Sequence, residues 1–389
     1  MSVVASPAEG FDLTTETLII GAGAGGLIAA LSAQEAGQKV LVLEADPVPS
    51  GSTSLSAGLI PAPGTKAQKA AGITDSTALF AADIMRKAKG ENDPELVAAL
   101  TEGAGEVIDW LSTTHGLPFT VVDDFTYPGH SRRRMHALPS RAGRDLIDAL
   151  RATAEAQDIP IATERRVATV FAGVVGTILG AEAVRPDGGR ERIGCARLIL
   201  ACNGYGGNRE MLRRYMPAIG EAIYFGHDGN RGDALLWGEA LGAAVKHLGA
   251  FQGHGNVAHP HGILISWAVI MEGGVQVNIE GRRFWNETQG YSEAAAAVLA
   301  EPEGIAWAIY DDRIAEVARQ FVDFQDAEAQ GAVLWADSLA GLAAKTRLPE
   351  AALTATMTEF ESRKNPFGRQ FVPAQRLQPP FAATRVTGT

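Results

Sequence analysis

The sequence predicts an α/β fold that begins with a nucleotide-binding βαβ unit, and three features support this prediction. Apolar stretches at 17–20 and 40–43 enclose a glycine run and an alanine-rich segment of helical composition. Another apolar stretch, at 197–202, also runs into clustered glycines. From Gly249 onward the chain mixes histidines, aromatics and glycines without one sustained period, which predicts a second domain.

The strongest signal is the segment TLIIGAGAGGLIAALSAQEAGQKVLVLEAD at 17–46, which predicts strand, glycine turn, helix and strand. Gly21 permits the tight turn, Gly23 lets the backbone approach a pyrophosphate, and Gly26 lets the helix pack closely on the strand. Glu44 closes the second strand, about 20 residues after the fingerprint, where a carboxylate can accept hydrogen bonds from ribose hydroxyls. NAD and FAD share this fingerprint, and the alternative is a glycine-rich turn that binds nothing.

Three later segments indicate more loops that approach a ligand. PSGSTSLSAGLIPAPG at 49–64 combines small residues and hydroxyls without a helix or strand period, which favours backbone laid against a flat ligand. RLILACNGYGGNREM at 197–211 runs a strand into a second glycine turn, and GHDGNRGDALLWGEALGA at 226–243 places Gly232 and Asp233 at the start of a helix. Each turn taken alone could equally be structural, since turns need glycine.

In this order the segments resemble the FAD domain of the fumarate reductase and succinate dehydrogenase flavoprotein family, which includes the 3-ketosteroid dehydrogenases. Members have GGNTALSGG, LATGGFGGN and GNTGDG where this chain has SGSTSLSAG, LACNGYGGN and GNRGDA. The resemblance implies a Rossmann-like FAD-binding domain of the glutathione-reductase type with an inserted α+β capping domain, placed here at 1–248 and 249–389.

The resemblance also implies how FAD would be held. The expected cofactor contacts beyond the first glycine turn are Ser52, Thr53, Ser56, Gly58, Asn203, Gly204 and Asp233. Members that attach FAD covalently use a histidine after the second strand, and 47–64 contains none, so FAD is expected to be noncovalent. The chain ends at FAATRVTGT, where members continue into a final FAD-domain stretch, so it is expected to be a fragment or a natural truncation.

The same resemblance implies catalytic positions in the second domain. The segment VNIEGRRFWNE at 277–287 resembles the VNREGKRFVNE hairpin that opens the mobile capping domain. His254 matches a substrate-binding histidine of the fumarate reductases. Tyr291 replaces their arginine acid, and Trp267 and Ile270 replace their proton-relay glutamate and arginine. In the 3-ketosteroid dehydrogenases this hairpin carries a catalytic tyrosine, and Tyr127 is a looser counterpart of a second one.

Flavin and tyrosine together imply hydride transfer between flavin N5 and a carbon–carbon bond beside a carbonyl, as in α,β-desaturation of a 3-ketosteroid-like or other carbonyl compound, or its reverse. One alternative is a reductase of unsaturated carboxylates such as fumarate or urocanate, with another residue replacing the arginine acid. A noncatalytic flavin-binding module is the other. No haem-attachment or iron–sulfur cysteine motif is present, so a separate electron donor or acceptor is expected.

Composition excludes several other classes. With 34 basic and 45 acidic residues the net charge is −11, which argues against a nucleic-acid partner. The basic run at 132–134 is expected to be a solvated loop, with a grip on a substrate anion as the alternative. Two cysteines form no disulfide framework or zinc motif, so no metal is expected and the cytoplasm is the predicted location. Neither a secretory leader nor a membrane span is predicted.

Overall fold

The computed structural model describes residues 2–7, 9–124, 126–174, 176–220, 222–362 and 367–389, which divide into two compact units. The first unit comprises Met1–Thr126, His130–Tyr215 and Gly226–Leu248, and the second comprises Tyr127–Gly129, Met216–Phe225 and Gly249–Thr389. The change at Gly249 coincides with the change in composition, whereas two short earlier segments group with the second unit. The assignment of cofactor and substrate roles to 1–248 and 249–389 stays a prediction.

The first unit is built on two sheets. Its strands are β1 (Ser2–Val4), β2 (Leu13–Ile20), β3 (Val40–Leu43), β4 (Ile60–Pro61), β5 (Thr120–Val121), β6 (Met135–Ala137), β7 (Ile161–Ala162), β8 (Arg166–Ala172), β9 (Ile178–Val184) and β10 (Arg190–Leu200). The larger sheet has the order β1-β8-β9-β10-β2-β3-β7, and the smaller has the order β4-β6-β5. Strands β10, β2, β3 and β7 are parallel, while β9 is antiparallel to its neighbours.

Eight helices accompany these strands in the described part of the first unit. They are α1 (Ala24–Glu35), α2 (Gly51–Ser54), α3 (Lys66–Ala70), α4 (Thr77–Lys87), α5 (Pro94–Thr113), α6 (Gly143–Ala156), α7 (Arg209–Tyr215) and α8 (Asp233–Ala240). Helix α2 is a correction, because the segment 49–64 was expected to have neither helix nor strand. A single turn forms there because the Ser54 hydroxyl and amide both donate to carbonyls of the preceding residues.

The predicted βαβ unit is confirmed as β2, α1 and β3, and its packing explains the apolar runs. Alternate residues of β2 point to opposite faces of the sheet. Ile19 packs with Leu27 and Leu31 of α1 on one face, whereas Leu18 packs in a second core with Trp237 of α8 on the other. Both faces are therefore buried, so the strand is a continuous apolar run rather than an alternating one.

The register of the parallel strands brings the predicted cofactor loops together. Leu200 of β10 pairs with Ile20 of β2, and Ile20 pairs with Leu43 of β3. The three strands thus end at the same level, and the residues that follow them lie along one carboxyl edge of the sheet. This edge of parallel strands is where ligands bind in open α/β sheets.

The second unit has an antiparallel sheet covered by helices. Its elements are β11 (Val257–Ala258), β12 (Ile263–Leu264), α9 (Ala268–Met271), β13 (Val275–Asn278), α10 (Tyr291–Leu299), β14 (Ile305–Asp311), α11 (Asp312–Ala318), α12 (Val322–Ala329), β15 (Val333–Ala336), α13 (Leu339–Thr346), α14 (Glu350–Glu361) and β16 (Phe381–Thr387). Strand β16 pairs with β11, β14 and β15. The strands and helices share one apolar core, so this unit has the expected α+β character.

The hairpin expected at 277–287 does not form. Strand β13 pairs with β14, and the chain after Asn278 enters a tight turn in which Gly281 has a φ of +75°. The Asn278 side-chain oxygen accepts hydrogen bonds from the amides of Glu280 and Arg282, each at 3.1 Å. These donors are therefore satisfied locally rather than by a neighbouring strand.

The basic run at 132–134 is not wholly the solvated loop that was expected. Arg134 is fully buried and forms ion pairs with Asp75 at 2.9 Å and with Asp83 at 2.6 Å. Burial alone would raise the pKa of Asp75, but hydrogen bonds from Arg134 and Gln68 hold it below its ordinary value. A buried guanidinium needs such partners, so Arg134 is committed to the fold and not to a substrate anion.

Among the described residues, none of the helices combines the length and the apolar character that crossing a membrane requires.

Candidate functional site

The first glycine turn lies at the carboxyl edge of the large sheet, and its glycines have different physical causes. Gly21 has a φ of +105°, a region that favours glycine. A Cβ at Gly26 would lie 1.9 Å from the Gly21 carbonyl oxygen, so only glycine permits this packing of α1 on β2. A Cβ at Gly23 would meet only Thr53 Oγ1, at 3.7 Å, so the fold itself tolerates a side chain there.

The amino terminus of α1 points free backbone donors toward this edge. The first amides of a helix have no acceptor within the helix, and the helix dipole adds partial positive charge. Thr53 Oγ1 accepts from the Ala24 amide at 3.1 Å and so ties the segment 49–64 to this helix end. The remaining amides of the first turn suit a phosphate.

Glu44 lies beside this helix end and is almost completely buried. Its two carboxylate oxygens accept hydrogen bonds from the amides of Ala22, at 2.8 Å, and Asp46, at 3.0 Å. An ionised carboxylate offers about four acceptor positions, so each oxygen keeps capacity for a further donor such as a hydroxyl. The structure thus fixes the orientation of Glu44 without exhausting it.

Ser52 joins three loops of the first unit. Its hydroxyl oxygen accepts from the side-chain amides of Asn203 at 3.2 Å and Asn230 at 2.8 Å, and from the His227 backbone amide at 3.3 Å. The sequence resemblance implied contact between Ser52 and the cofactor, whereas the structure shows that the hydroxyl also organises the loops. Asn203 adopts a left-handed conformation, with a φ of 62°.

Three further predicted positions belong to the same set of loops. The Ser56 hydroxyl donates to the Thr53 carbonyl at 2.7 Å and accepts from the Gly58 amide at 3.1 Å, which shapes the end of the α2 turn. Gly58 has a φ of +63°. Gly204 accepts a hydrogen bond from the Gly232 amide at 3.0 Å, so the second glycine turn is joined to the start of α8.

Asp233, the first residue of α8, is a buried carboxylate with an unusual environment. Its residue surface is 7% exposed, yet its oxygens accept no hydrogen bond from any residue that the structure describes. Burial raises its pKa, and Arg166 and Arg231 only partly oppose this effect. A buried carboxylate without a donor is unfavourable. A ligand hydroxyl or ring N–H would remove this penalty.

The donors and acceptors of the first unit therefore fit a dinucleotide such as FAD. Helix α1 offers amides to a pyrophosphate, Glu44 offers acceptor positions to a ribose, and Asp233 lacks a partner. Within the described ranges, no three His, Cys, Asp or Glu side chains lie close enough together to hold a metal ion.

A group of rings in the second unit, called here the aromatic cluster, holds the predicted catalytic positions. Its members are Tyr127, His254, Trp267, Trp285 and Tyr291. His254 and Tyr291 stack with centroids 5.3 Å apart and planes 23° apart. Tyr127 meets the Tyr291 ring edge-on at 6.3 Å. The structure thus brings the three predicted catalytic residues together, although their roles stay predictions.

Glycines on either side of His254 allow its loop to lie against α10. A Cβ at Gly255 would lie 2.3 Å from the Ala294 Cβ, and one at Gly253 would lie 2.5 Å from the Ala295 Cβ. The Gly255 amide donates to the Tyr291 carbonyl at 3.0 Å. The glycines therefore serve the close approach that stacks the histidine on the tyrosine.

The hydrogen bonds of His254 determine which ring nitrogen carries the proton. Its Nδ1 accepts from the Asn256 backbone amide at 3.2 Å, so the neutral ring is protonated at Nε2. The residue keeps some exposed surface, but the protein atoms around the ring displace water and lower its pKa to about 3. His254 therefore presents a neutral Nε2–H donor at physiological pH.

Tyr291 is also neutral in this environment. Burial raises its pKa, a hydrogen bond from Gln252 Nε2 at 3.2 Å lowers it, and the charge of Glu293 raises it. Burial is the largest of these effects, so the phenol keeps its proton. A free phenolate base, one form of the role expected for this tyrosine, is therefore disfavoured, and a proton donor is favoured.

The two residues at the family's relay positions are parts of the core. Ile270 is fully buried and Trp267 is 3% exposed. The Trp267 indole N–H is buried without an acceptor among the described residues. These side chains cannot relay a proton, as their residue types predict.

Sequence reasoning missed three polar residues around the cluster. Gln252 holds the Tyr291 hydroxyl, Asn256 sets the His254 proton, and Gln276 lies fully buried behind them. No short motif contains them, because they meet His254, Tyr291 and one another only through the fold. The one available signal was a glutamine in the apolar run GGVQVN at 273–278.

Comparisons with known proteins agree with the site of the first unit. The chain belongs to the FAD binding domain family, whose model matches residues 16–389. FAD is therefore the cofactor of its family, and the predicted flavoprotein fold is confirmed. The solved structure of the open conformation of a flavocytochrome c3 fumarate reductase superposes with a TM-score of 0.80 at 29% identity, covering 98% of this chain and 68% of that one.

Curated relatives carry two kinds of activity in their names. A probable fumarate reductase Ifc3 of Shewanella frigidimarina is 30% identical over 99% of this chain and 65% of its own length. A 3-oxosteroid 1-dehydrogenase of Mycobacterium tuberculosis is 30% identical over 57% of this chain and 43% of its own length. The chain thus spans less than two thirds of the length of either relative.

Proposed function

We propose that this member of the FAD binding domain family is an oxidoreductase that acts on a carbon–carbon bond beside a carbonyl group. The substrate would be a 3-ketosteroid-like or other carbonyl compound, and the reaction α,β-desaturation or its reverse. When bound, the flavin supplies hydride transfer at N5. The observation that carries the proposal is the stacked pair of His254 and Tyr291, which joins two neutral proton-bearing groups at 5.3 Å.

The first unit would hold the cofactor noncovalently through the loops at the carboxyl edge. The first turn of α1, with Gly21, Gly23 and Gly26, would bind the pyrophosphate, and Glu44 would bind a ribose hydroxyl. The remaining proposed contacts are Ser52, Thr53, Ser56, Gly58, Asn203, Gly204 and Asp233. Noncovalent attachment is supported by the absence of histidine from 47–64.

The second unit would bind the carbonyl and move the proton. His254 would donate its Nε2–H to the carbonyl oxygen, and Tyr291 would hold the transferred proton at Oη. In the reducing direction the neutral phenol donates directly, whereas desaturation requires it to accept a proton in concert with hydride loss. Tyr127, whose ring packs edge-on against Tyr291, would help to orient that phenol.

The charge around the pair favours an uncharged substrate group. No cationic side chain among the described residues contributes to the pKa shift of His254 or Tyr291, and Glu293 adds negative charge near the phenol. A carboxylate would lose hydration here without gaining a positive partner. A ketone oxygen needs only hydrogen-bond donors, and the pair offers two of them.

A reductase of unsaturated carboxylates, of the fumarate or urocanate kind, is the second candidate. It is favoured by the Shewanella relative, whose match covers 99% of this chain, and by the phenol that keeps its proton. It requires a cation for the carboxylate from outside the aromatic cluster. In either case we propose a separate electron donor or acceptor, and the cytoplasm as the location.

The experiment is an anaerobic visible titration of the purified flavoprotein. Saturated 3-keto compounds and dicarboxylates are added to the oxidised flavin, and their unsaturated counterparts to the chemically reduced flavin. Bleaching by a keto compound that falls by about 10²- to 10⁴-fold in rate in Tyr291→Phe supports the proposal. Tyr310→Phe, which removes a buried hydroxyl bonded to Thr384 in the same unit, is the matched control and should keep the rate.

The other outcomes separate the candidates. A flavin that ignores every keto compound but is reoxidised by an unsaturated acid indicates the carboxylate reductase. Stoichiometric flavin that responds to neither class of compound indicates a noncatalytic flavin-binding module.

A further inference from the structure

A buried hydrogen-bonded group lies behind the His254 loop, and the proposed chemistry does not use it. It consists of Gly255, Asn256, Gln276 and Trp285 and is called here the amide network. Asn256 and Gln276 are fully buried in a unit whose core is otherwise apolar. A buried primary amide is unfavourable unless its hydrogen bonds are made, so its orientation has structural consequences.

The orientation of Gln276 follows from its neighbours. The Trp285 indole nitrogen can only donate, and it lies 3.0 Å from one end of the Gln276 amide, which must therefore be the oxygen. The opposite end is the NH₂ group, which donates to the Gly255 carbonyl at 2.7 Å and to Asn256 Oδ1 at 3.4 Å. Trp285 thus excludes the flipped amide.

The orientation of Asn256 follows in turn. Its oxygen faces the Gln276 NH₂ group, so its own NH₂ group donates to the Ile265 carbonyl at 3.2 Å. The backbone of Asn256 is held on both sides by these bonds. Its amide N–H then points at His254 Nδ1, at 3.2 Å. This N–H is a donor and nothing else, so the ring proton is placed on Nε2.

We propose that Gln276 is a positioning residue that fixes the proton of His254 on Nε2 by holding the backbone of Gly255 and Asn256. The part of this inference that concerns substrate binding rests on the proposed function, since there Nε2–H donates to the carbonyl. The tautomer itself does not depend on that function. Gln276 is also anchored at its own backbone, because its amide donates to Glu287 Oε1 at 3.2 Å.

Glu287 is itself held firmly, which makes the anchor rigid. Its carboxylate pairs with Arg283, at 2.5 Å, and with Arg369, at 3.5 Å. All three side chains are nearly or completely buried. The ion pairs therefore fix one end of Gln276, and Trp285 and Gly255 fix the other.

The test is nitrogen-15 NMR of the histidine rings in the full chain with its flavin. The protein has eight histidines, so a His254→Gln variant assigns the two ring-nitrogen signals of His254. In the wild type we expect widely separated signals with the proton on Nε2. In Gln276→Met, which keeps the volume but loses both hydrogen-bonding ends, we expect the signals to move toward each other as the tautomers mix.

Thr384→Val is the matched control, because it removes another fully buried hydrogen bond of the same unit, the one to Tyr310. We expect the His254 signals to stay separated in it. If Gln276→Met folds and leaves these signals at their wild-type positions, the inference is overturned.

Trp285→Phe is the second variant and decides the question if Gln276→Met does not fold. It removes the donor that orients the glutamine, so we expect partial mixing of the tautomers, and unchanged signals would overturn the inference. Because the readout requires no turnover, a failure of the proposed function leaves this result interpretable. A mixed tautomer in Gln276→Met without any substrate response would reject the function and keep the positioning role.

Discussion

The glycine turn of the first unit and the aromatic cluster of the second unit are built in opposite ways. The turn occupies residues 21–26, and its essential contacts are between backbone atoms close in sequence. The cluster takes rings from positions between 127 and 291 and orders them through side chains. A backbone device can therefore be recognised in a short motif, whereas a side-chain device of this kind cannot.

Both regions nevertheless depend on a glycine that faces another backbone or a short side chain. Gly26 faces the Gly21 carbonyl, and Gly255 faces Ala294 of α10. The two positions allow the same substitution to be compared in a recognisable motif and in an unrecognisable loop.

Gly26→Ala is expected to have the largest effect. The new Cβ would lie 1.9 Å from the Gly21 oxygen, so α1 must move away from β2, at a cost of about 3 kcal/mol and with loss of bound flavin. Denaturant unfolding and the flavin-to-protein ratio measure both effects. Gly25→Ala, where a Cβ meets nothing within 4 Å, should keep stability and flavin. An unchanged unfolding midpoint in Gly26→Ala would contradict this view of the turn.

Gly255→Ala tests the corresponding position in the second unit. A methyl group 2.3 Å from the Ala294 Cβ should push the His254 loop off α10, with a loss of about 2 kcal/mol in the free energy of unfolding. Flavin content should stay at the wild-type value, while the substrate response of the flavin falls. Gly341→Ala in α13, where the nearest atom is 3.3 Å from the new Cβ, is the control. Loss of flavin in Gly255→Ala would show that the two regions are not independent.

Ser52→Ala is expected to have an intermediate effect. It removes the shared acceptor of Asn203, Asn230 and the His227 amide, so these donors lose a partner at a cost of about 1 kcal/mol. The flavin dissociation constant should rise together with the loss of stability. Ser54→Ala, which removes only a bond to the Gly51 carbonyl one turn earlier, is the comparison variant. Equal flavin affinity in the two variants would argue against the joining role of Ser52.

His254→Gln is expected to have the smallest effect at neutral pH and to reveal itself on acidification. The pKa of His254 falls from 6.5 to about 3 on folding, so between these values the unfolded state binds more protons. The contribution of this residue to the free energy of unfolding therefore decreases as the pH falls from 6.5 toward 3. Urea unfolding between pH 7 and 4 should show a shallower decrease in His254→Gln than in the wild type. Substitution of the exposed His261 serves as the control, and an unchanged slope in His254→Gln would contradict the neutral buried ring.

Much of the first unit was predictable from the sequence. The βαβ unit was confirmed because Gly21, Gly26 and the apolar runs report on local backbone geometry and two-sided burial, which are properties of consecutive residues. The hairpin at 277–287 was wrong because the Asn278 side chain satisfies the amides that a strand would need. The basic run was misjudged because Asp75 and Asp83, which bury Arg134, lie far from it in sequence.

The sequence by itself determined that the chain has a nucleotide-binding turn, an acidic residue after the next strand, and a histidine and tyrosine where relatives hold substrate. These are patterns of residue type and spacing, which a chain carries before it folds. Only the tertiary structure decided that His254 stacks on Tyr291, that both rings are neutral, and that Gln276 and Asn256 stand behind them. Burial and hydrogen-bond partners set protonation, and both arise from residues that are distant in sequence and adjacent only in the fold.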